Sequence, residues 1–174
     1  MLIFMLLAGV VQAQITYTRS FTKKLAGAQL SYHTPVESWL HVVPLRSDAF
    51  MDYDLVLQND RNDYEVRYRI RRLNRKWRAV PQHVEVSRLV ASIATNEPEA
   101  EIRMSFPDDA FVREAFNAES GLFARFKPKP AFSEKPFGTL VSLYGEGKAI
   151  VDVVVLYHDP GFDPIEHFRD LRFK

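Results

Sequence analysis

The chain has 174 residues, 47% of them apolar and 26% charged, with 23 basic side chains against 22 acidic ones. This composition fits one globular domain and excludes a disordered or collagen-like chain, while a net charge of +1 excludes a generic nucleic-acid binder. Without cysteine, disulfides, thiolate metal sites and cysteine nucleophiles are excluded as well.

Residues 2–11 (LIFMLLAGVV) form an apolar run about half as long as a membrane-spanning helix requires, which is roughly 20 residues. Ala13 at the −1 position and Val11 at −3 make it read as a signal peptide, residues 1–13, cut before Gln14. The segment ahead of the run lacks the usual Lys or Arg, and with no cysteine at the cleavage point a lipid anchor is not expected. The mature chain, residues 14–174, is expected to be one periplasmic or secreted α+β domain without a transmembrane segment. About 70% of its unfolded surface can be buried at that size.

Residues 14–24 (QITYTRSFTKK) are polar and β-prone and read as a leader or edge strand. Residues 29–33 alternate around Leu30 and Tyr32, and residues 39–45 form a second apolar run broken at Pro44. Then Met51, Tyr53, Leu55 and Leu57 alternate with Asp52, Asp54 and Val56. Beyond the turn Asn59-Asp60-Arg61-Asn62, Tyr64, Val66, Tyr68 and Ile70 alternate with Glu65, Arg67, Arg69 and Arg71. Period-two alternation about an Asn/Asp turn predicts a hairpin with one buried and one wet face.

Over residues 84–94 the period changes: Val86, Leu89, Val90 and Ile93 mark one face of a helix, with Pro81 near its start and Asn96 and Pro98 after its end. A short strand over residues 101–106 and a second helix from Pro107 follow. Ser105 or Asp108 can cap that helix, Phe111 and Ala115 pair along it, as do Val112 and Phe116, and Gly121 marks the exit. Residues 122–126 read as a strand, and residues 138–144 and 149–157 as a hairpin turning at Gly145-Glu146-Gly147-Lys148. The run of residues 150–156 is too continuously apolar for a half-wet strand and should lie centrally, covered on both sides. A short helix over residues 164–169 closes the chain. The expected fold class is therefore α+β, an antiparallel sheet with helices packed on it.

Between Arg61 and Arg78 stand eight basic residues against Asp63 and Glu65, a local net charge of +6. Arg67, Arg69 and Arg71 fall on one strand face about 7 Å apart. Their guanidinium forks suit carboxylate or phosphate, so with Arg72 and Arg75 they form a candidate docking stripe for an anionic partner. The alternative is a solvated face pairing with Asp52, Asp54 and Glu65, each pair contributing well below about 1 kcal/mol. The five histidines show no HxH or HExxH spacing. His158, Asp159, Asp163 and His167 are weak metal candidates, and caps and turns explain the same residues. Asp152 sits inside the most apolar strand, which flags a functional carboxylate, against the alternatives of an edge position or a structural ion pair with an arginine. No GxSxG nucleophile motif and no Rossmann fingerprint occurs.

Tyr64-Glu65-Val66-Arg67-Tyr68, Glu114-Ala115-Phe116-Asn117-Ala118 and the apolar hairpin of residues 138–157 together resemble a group of exported, uncharacterised proteins of Bacteroidetes. The order of elements over residues 30–174 is similar to the PsbP/Mog1-like α/β/α sandwich. Glu119-Ser120-Gly121 departs from the aromatic-rich segment of that group. The resemblance implies a binding or assembly role without catalysis and transfers no functional residue. The expected function is an exported, non-catalytic binding or accessory module of the bacterial envelope. It needs no cofactor, and its partner is an envelope protein or an anionic envelope component. The alternative is a metal-dependent or acid/base hydrolase built on the C-terminal His/Asp cluster.

Overall fold

The computed structural model describes residues 17–34, 39–45, 50–73 and 80–174. The signal peptide and Arg75 lie outside the described residues. Helix α1 (Arg19–Gly27) leads into β1 (Leu30–Tyr32), β2 (Leu40–Val42), β3 (Leu55–Asn59) and β4 (Tyr64–Arg72). After α2 (Gln82–Ile93) come β5 (Arg103–Ser105), α3 (Asp109–Phe116), β6 (Ser120–Phe126), β7 (Phe137–Gly145) and β8 (Ala149–Tyr157). The chain ends with α4 (Ile165–Phe168) and β9 (Leu171–Phe173).

Strands β2 to β8 form a seven-stranded antiparallel sheet in the order β2-β3-β4-β8-β7-β6-β5, and β1 pairs with β9 in a separate two-stranded sheet. Helices cover both faces of the large sheet, so the fold is α+β. On one face Val86, Leu89, Val90 and Ile93 of α2 pack against Leu122, Ala124, Leu140, Val154 and Leu156. On the other, Phe21 of α1, Val112 and Phe116 of α3 and Phe168 of α4 pack with the small sheet against Val66, Tyr68, Val151 and Val153. Strand β8 is central and buried along its whole length, as its unbroken apolar run requires.

The N-terminal segment departs from expectation. Residues 19–27 are helical rather than an edge strand. The Thr18 hydroxyl accepts the Phe21 N–H at 3.2 Å as an N-cap, and Phe21 and Leu25, one turn apart, face the core. Those local gains outweigh the β-propensity of residues 17–24, while residues 14–16 of the expected strand lie outside the described residues. The hairpin strand β3 also starts later, at Leu55, because the Asp54 carboxylate accepts the Ile70 N–H at 2.6 Å and pairs with Lys24. The opposite hairpin face is not wet, since the sheet carries α2 there. Asp108, not Ser105, caps α3. The exit from α3 is Asn117 in the left-handed region, φ 51°, with its amide donating to Phe173 O, while Gly121 lies inside β6.

Beneath α1, the Tyr32 ring stands edge-on to Tyr17, Phe21 and Tyr68, with centroids 5.2 to 5.5 Å apart. Tyr68 is fully buried, and its hydroxyl is pushed well above the usual phenol range by burial, with the Asp170 carboxylate adding to the shift. Its folded pKa lies above the unfolded one, so its contribution is complete below about pH 10 and is lost as the unfolded chain ionises above it. Stability should therefore fall by about 1.4 kcal/mol per pH unit above pH 10 on account of Tyr68 alone. Urea melts at pH 10 and 11 check this: Tyr68→Phe should show a shallower decline, and parallel declines would contradict it.

Candidate functional site

The three strand-facing arginines do not form an open stripe. Arg67, Arg69 and Arg71 alternate with the buried Val66, Tyr68 and Ile70, which directs them to the face that α2 and the turn at Phe132 cover. Their side chains are only 12, 20 and 23% exposed. Arg67 pairs with Glu65 and lies between the rings of Tyr53 and Phe132, 5.0 and 4.6 Å from their centroids, donating to Tyr53 Oη at 3.1 Å. Arg69 donates to Asp152 Oδ2 through Nε at 2.9 Å and Nη2 at 2.7 Å. Arg71 bridges Asp152 Oδ2 at 3.2 Å and Glu85 of α2 at 2.5 Å. Burial pulls the Arg71 guanidinium down, but Asp152 and Glu85 outweigh it and its pKa stands above the ordinary value.

The partners are not the Asp52 and Asp54 that proximity along the hairpin suggested. Register places Arg69 directly opposite Asp152 on β8. Asp152 is wholly buried as the hub of a network that ties the sheet to α2, and its second oxygen, Oδ1, has no hydrogen-bond partner. Gln82, at the start of the helix, extends the polar row by donating to Ser142 O and accepting from Ser120. Arg72 points to the other face, exposed, with its guanidinium 3.0 Å from where a Cβ on Gly27 would stand. A cation there suits the C-terminal end of α1.

The C-terminal cluster is occupied locally. Asp159 accepts the Gly161 N–H and Asp163 the Ile165 N–H, both as turn caps. His167 is buried and stacks on Phe162 with centroids 5.6 Å apart, and His158 is exposed. Among the described residues no three His, Asp or Glu side chains gather around a point that would hold a metal ion.

An open groove lies at the β5 end of the large sheet, where Asp163 is the one candidate site residue read from the sequence. Arg103 on β5 stands directly opposite Arg125 on β6, and Arg125 faces Thr139 on β7. Two clefts, of about 330 and 480 Å³, meet at these arginines. Phe123, Pro164, Ile165 and Phe168 line the first, with Thr139 and Asp163 at its wall. Phe126, Pro136, Phe137, Tyr157 and Pro160 line the second, with Glu101 and Lys127. The floor is rigid: Thr139 Oγ1 and Tyr157 Oη hydrogen-bond at 3.1 Å, and Phe137 stacks on Tyr157 at 5.7 Å. Gly138 lets the Phe126 ring lie against β7, for a Cβ there would come within 2.8 Å of it.

Like charges directly opposite one another in an antiparallel pair destabilise it. Arg103 is partly compensated by Glu101, 2.6 Å away, whose carboxyl it holds below the usual range. That pair is exposed and easily displaced. Arg125 has no carboxylate partner among the described residues. The groove therefore presents two guanidinium forks to solvent between two apolar lobes, an arrangement suited to binding an anion. Twenty-two positions separate the two arginines, so only strand pairing reveals them together. The one local signal is Phe123 and Arg125 alternating with the core residues Leu122, Ala124 and Phe126. No family model matches the chain, and no curated protein matches it.

Proposed function

We propose that the chain is an exported, non-catalytic binding module of the bacterial envelope that holds an anionic partner at Arg103 and Arg125. The observation that carries this reading is the pair of exposed guanidinium groups meeting across β5 and β6 at the junction of two clefts. The apolar run of residues 2–11 supports export. The stripe at Arg67, Arg69 and Arg71 is satisfied by carboxylates of the chain itself, so an external anion would have to displace internal partners that are buried or nearly so. Among the described helices none is long and apolar enough to cross a membrane.

The test is native mass spectrometry and in-cell crosslinking of the mature protein, taken gently from the periplasm of its host, beside Arg125→Gln. The expected result is a bound mass or crosslinked partner on the wild type that is lost in the variant. A wild-type chain with neither, or a partner retained equally by both proteins, would overturn the reading.

A further inference from the structure

Resting on that reading, we infer that the groove takes an extended peptide segment in which one Asp or Glu is flanked on both sides by apolar or aromatic residues. Both clefts share Arg103 and Arg125, so the anionic group must sit between two apolar contacts rather than at the end of one. In an extended peptide, side chains on one face recur every second residue, roughly 7 Å apart, so a central carboxylate places its neighbours on that face over the two lobes. The lobe residues are aromatic and aliphatic side chains held by the packed core. Phe123 meets Phe168 edge-on at 6.0 Å, and Phe137 is stacked on Tyr157.

The charge of the groove selects against a second acid. Asp163 lines the first lobe, with its Oδ1 accepting the Ile165 N–H, and Glu101 lines the second. Lys127, the third cation here, is paired with Glu97 at 2.5 Å. A uniformly acidic ligand would meet both of those carboxylates, whereas a single central one meets the two arginines and has only the exposed Glu101 to displace. The carboxylate of the peptide would take the place of Glu101 on Arg103 and give Arg125 its missing partner, with bidentate geometry open to both forks. Strand β5 is the outermost strand of the sheet, and exposed Ile102 and Phe106 flank it, which leaves room for a chain to lie beside it.

Fluorescence anisotropy with a labelled, end-blocked Phe-Ser-Glu-Ser-Phe peptide tests the inference on the full chain. Binding should weaken at least about tenfold when the peptide Glu becomes Gln, when both Phe become Ser, and with Arg125→Gln, while Arg125→Lys should recover part of the loss. Circular dichroism of each variant separates lost binding from lost fold. Equal binding of the Glu and Gln peptides, or no dependence on Arg125, would overturn it. So would Arg125-dependent binding to phosphatidylglycerol vesicles with none to the peptide. That last outcome would leave the anion-binding role standing and remove only the peptide, whereas failure of the host-purified protein to retain an Arg125-dependent partner would remove both.

Discussion

Asp152→Asn should lower the unfolding free energy by about 3 kcal/mol, the low end of the cost of breaking a buried ion pair, because Arg69 and Arg71 keep some contact with solvent. All three guanidinium bonds to this side chain fall on Oδ2. An amide keeps the shape but loses the charge, leaving two partly buried cations facing each other on adjacent turns of the pleat. For a domain of this size the loss corresponds to a fall of about 6–12 °C in Tm. Replacing Asp152, Arg69 and Arg71 together with apolar residues of similar volume should recover much of the loss, since a buried ion cluster contributes little beyond its own desolvation. Guanidinium melts of the single and triple variants decide the matter. A single variant as stable as the wild type would show that the arginines reach other partners. If the triple variant proves no better than the single one, the cost lies in packing rather than in unpaired charge.

The second large effect is expected at Phe21, where truncation to Ala should cost about 3–5 kcal/mol. Phe21 is the buried anchor of α1 and meets Tyr17, Tyr32 and Tyr68 within 6.3 Å. A nine-residue helix has little stability of its own, so this docking is what holds it. Amide exchange should show α1 opening well before the β4–β8 ladder in Phe21→Ala. Uniform loss of protection across the molecule would mean instead that α1 unfolds only with the whole core. Phe21→Leu, which keeps most of the volume, should lose less than half as much.

The legible parts of the fold were those whose information is local. The alternation from Tyr64 to Ile70, the helical spacing of Val86, Leu89, Val90 and Ile93, and the unbroken apolar run of β8 each state their own structure within a dozen residues. The parts that were not legible depend on a distant partner. Residues 171–173 are too short to announce a strand and become one only against Leu30–Tyr32. The face of Arg67, Arg69 and Arg71 followed directly from the alternation. Its covering did not, because the carboxylate that meets Arg69 lies 83 residues away. The same limit hid the groove, whose arginines acquire meaning only when β5 and β6 pair. Asp152 was the one interior charge visible as an anomaly, since a carboxylate in such a run demands a counter-charge, and the structure supplies two.

The pairing of β1 with β9 also sets an order in time. Ser31 Oγ reaches Arg172 O across 141 positions, and the Lys174 amide closes on Gln29 O. The small sheet that completes the roof over Tyr32 and Phe21 therefore cannot form until residues 171–173 reach residues 30–32. Closing so long a loop costs about 4 kcal/mol of chain entropy before any contact repays it. The seven-stranded sheet can collapse earlier, so the face that carries α1 is completed last, when residues 171–173 close on β1.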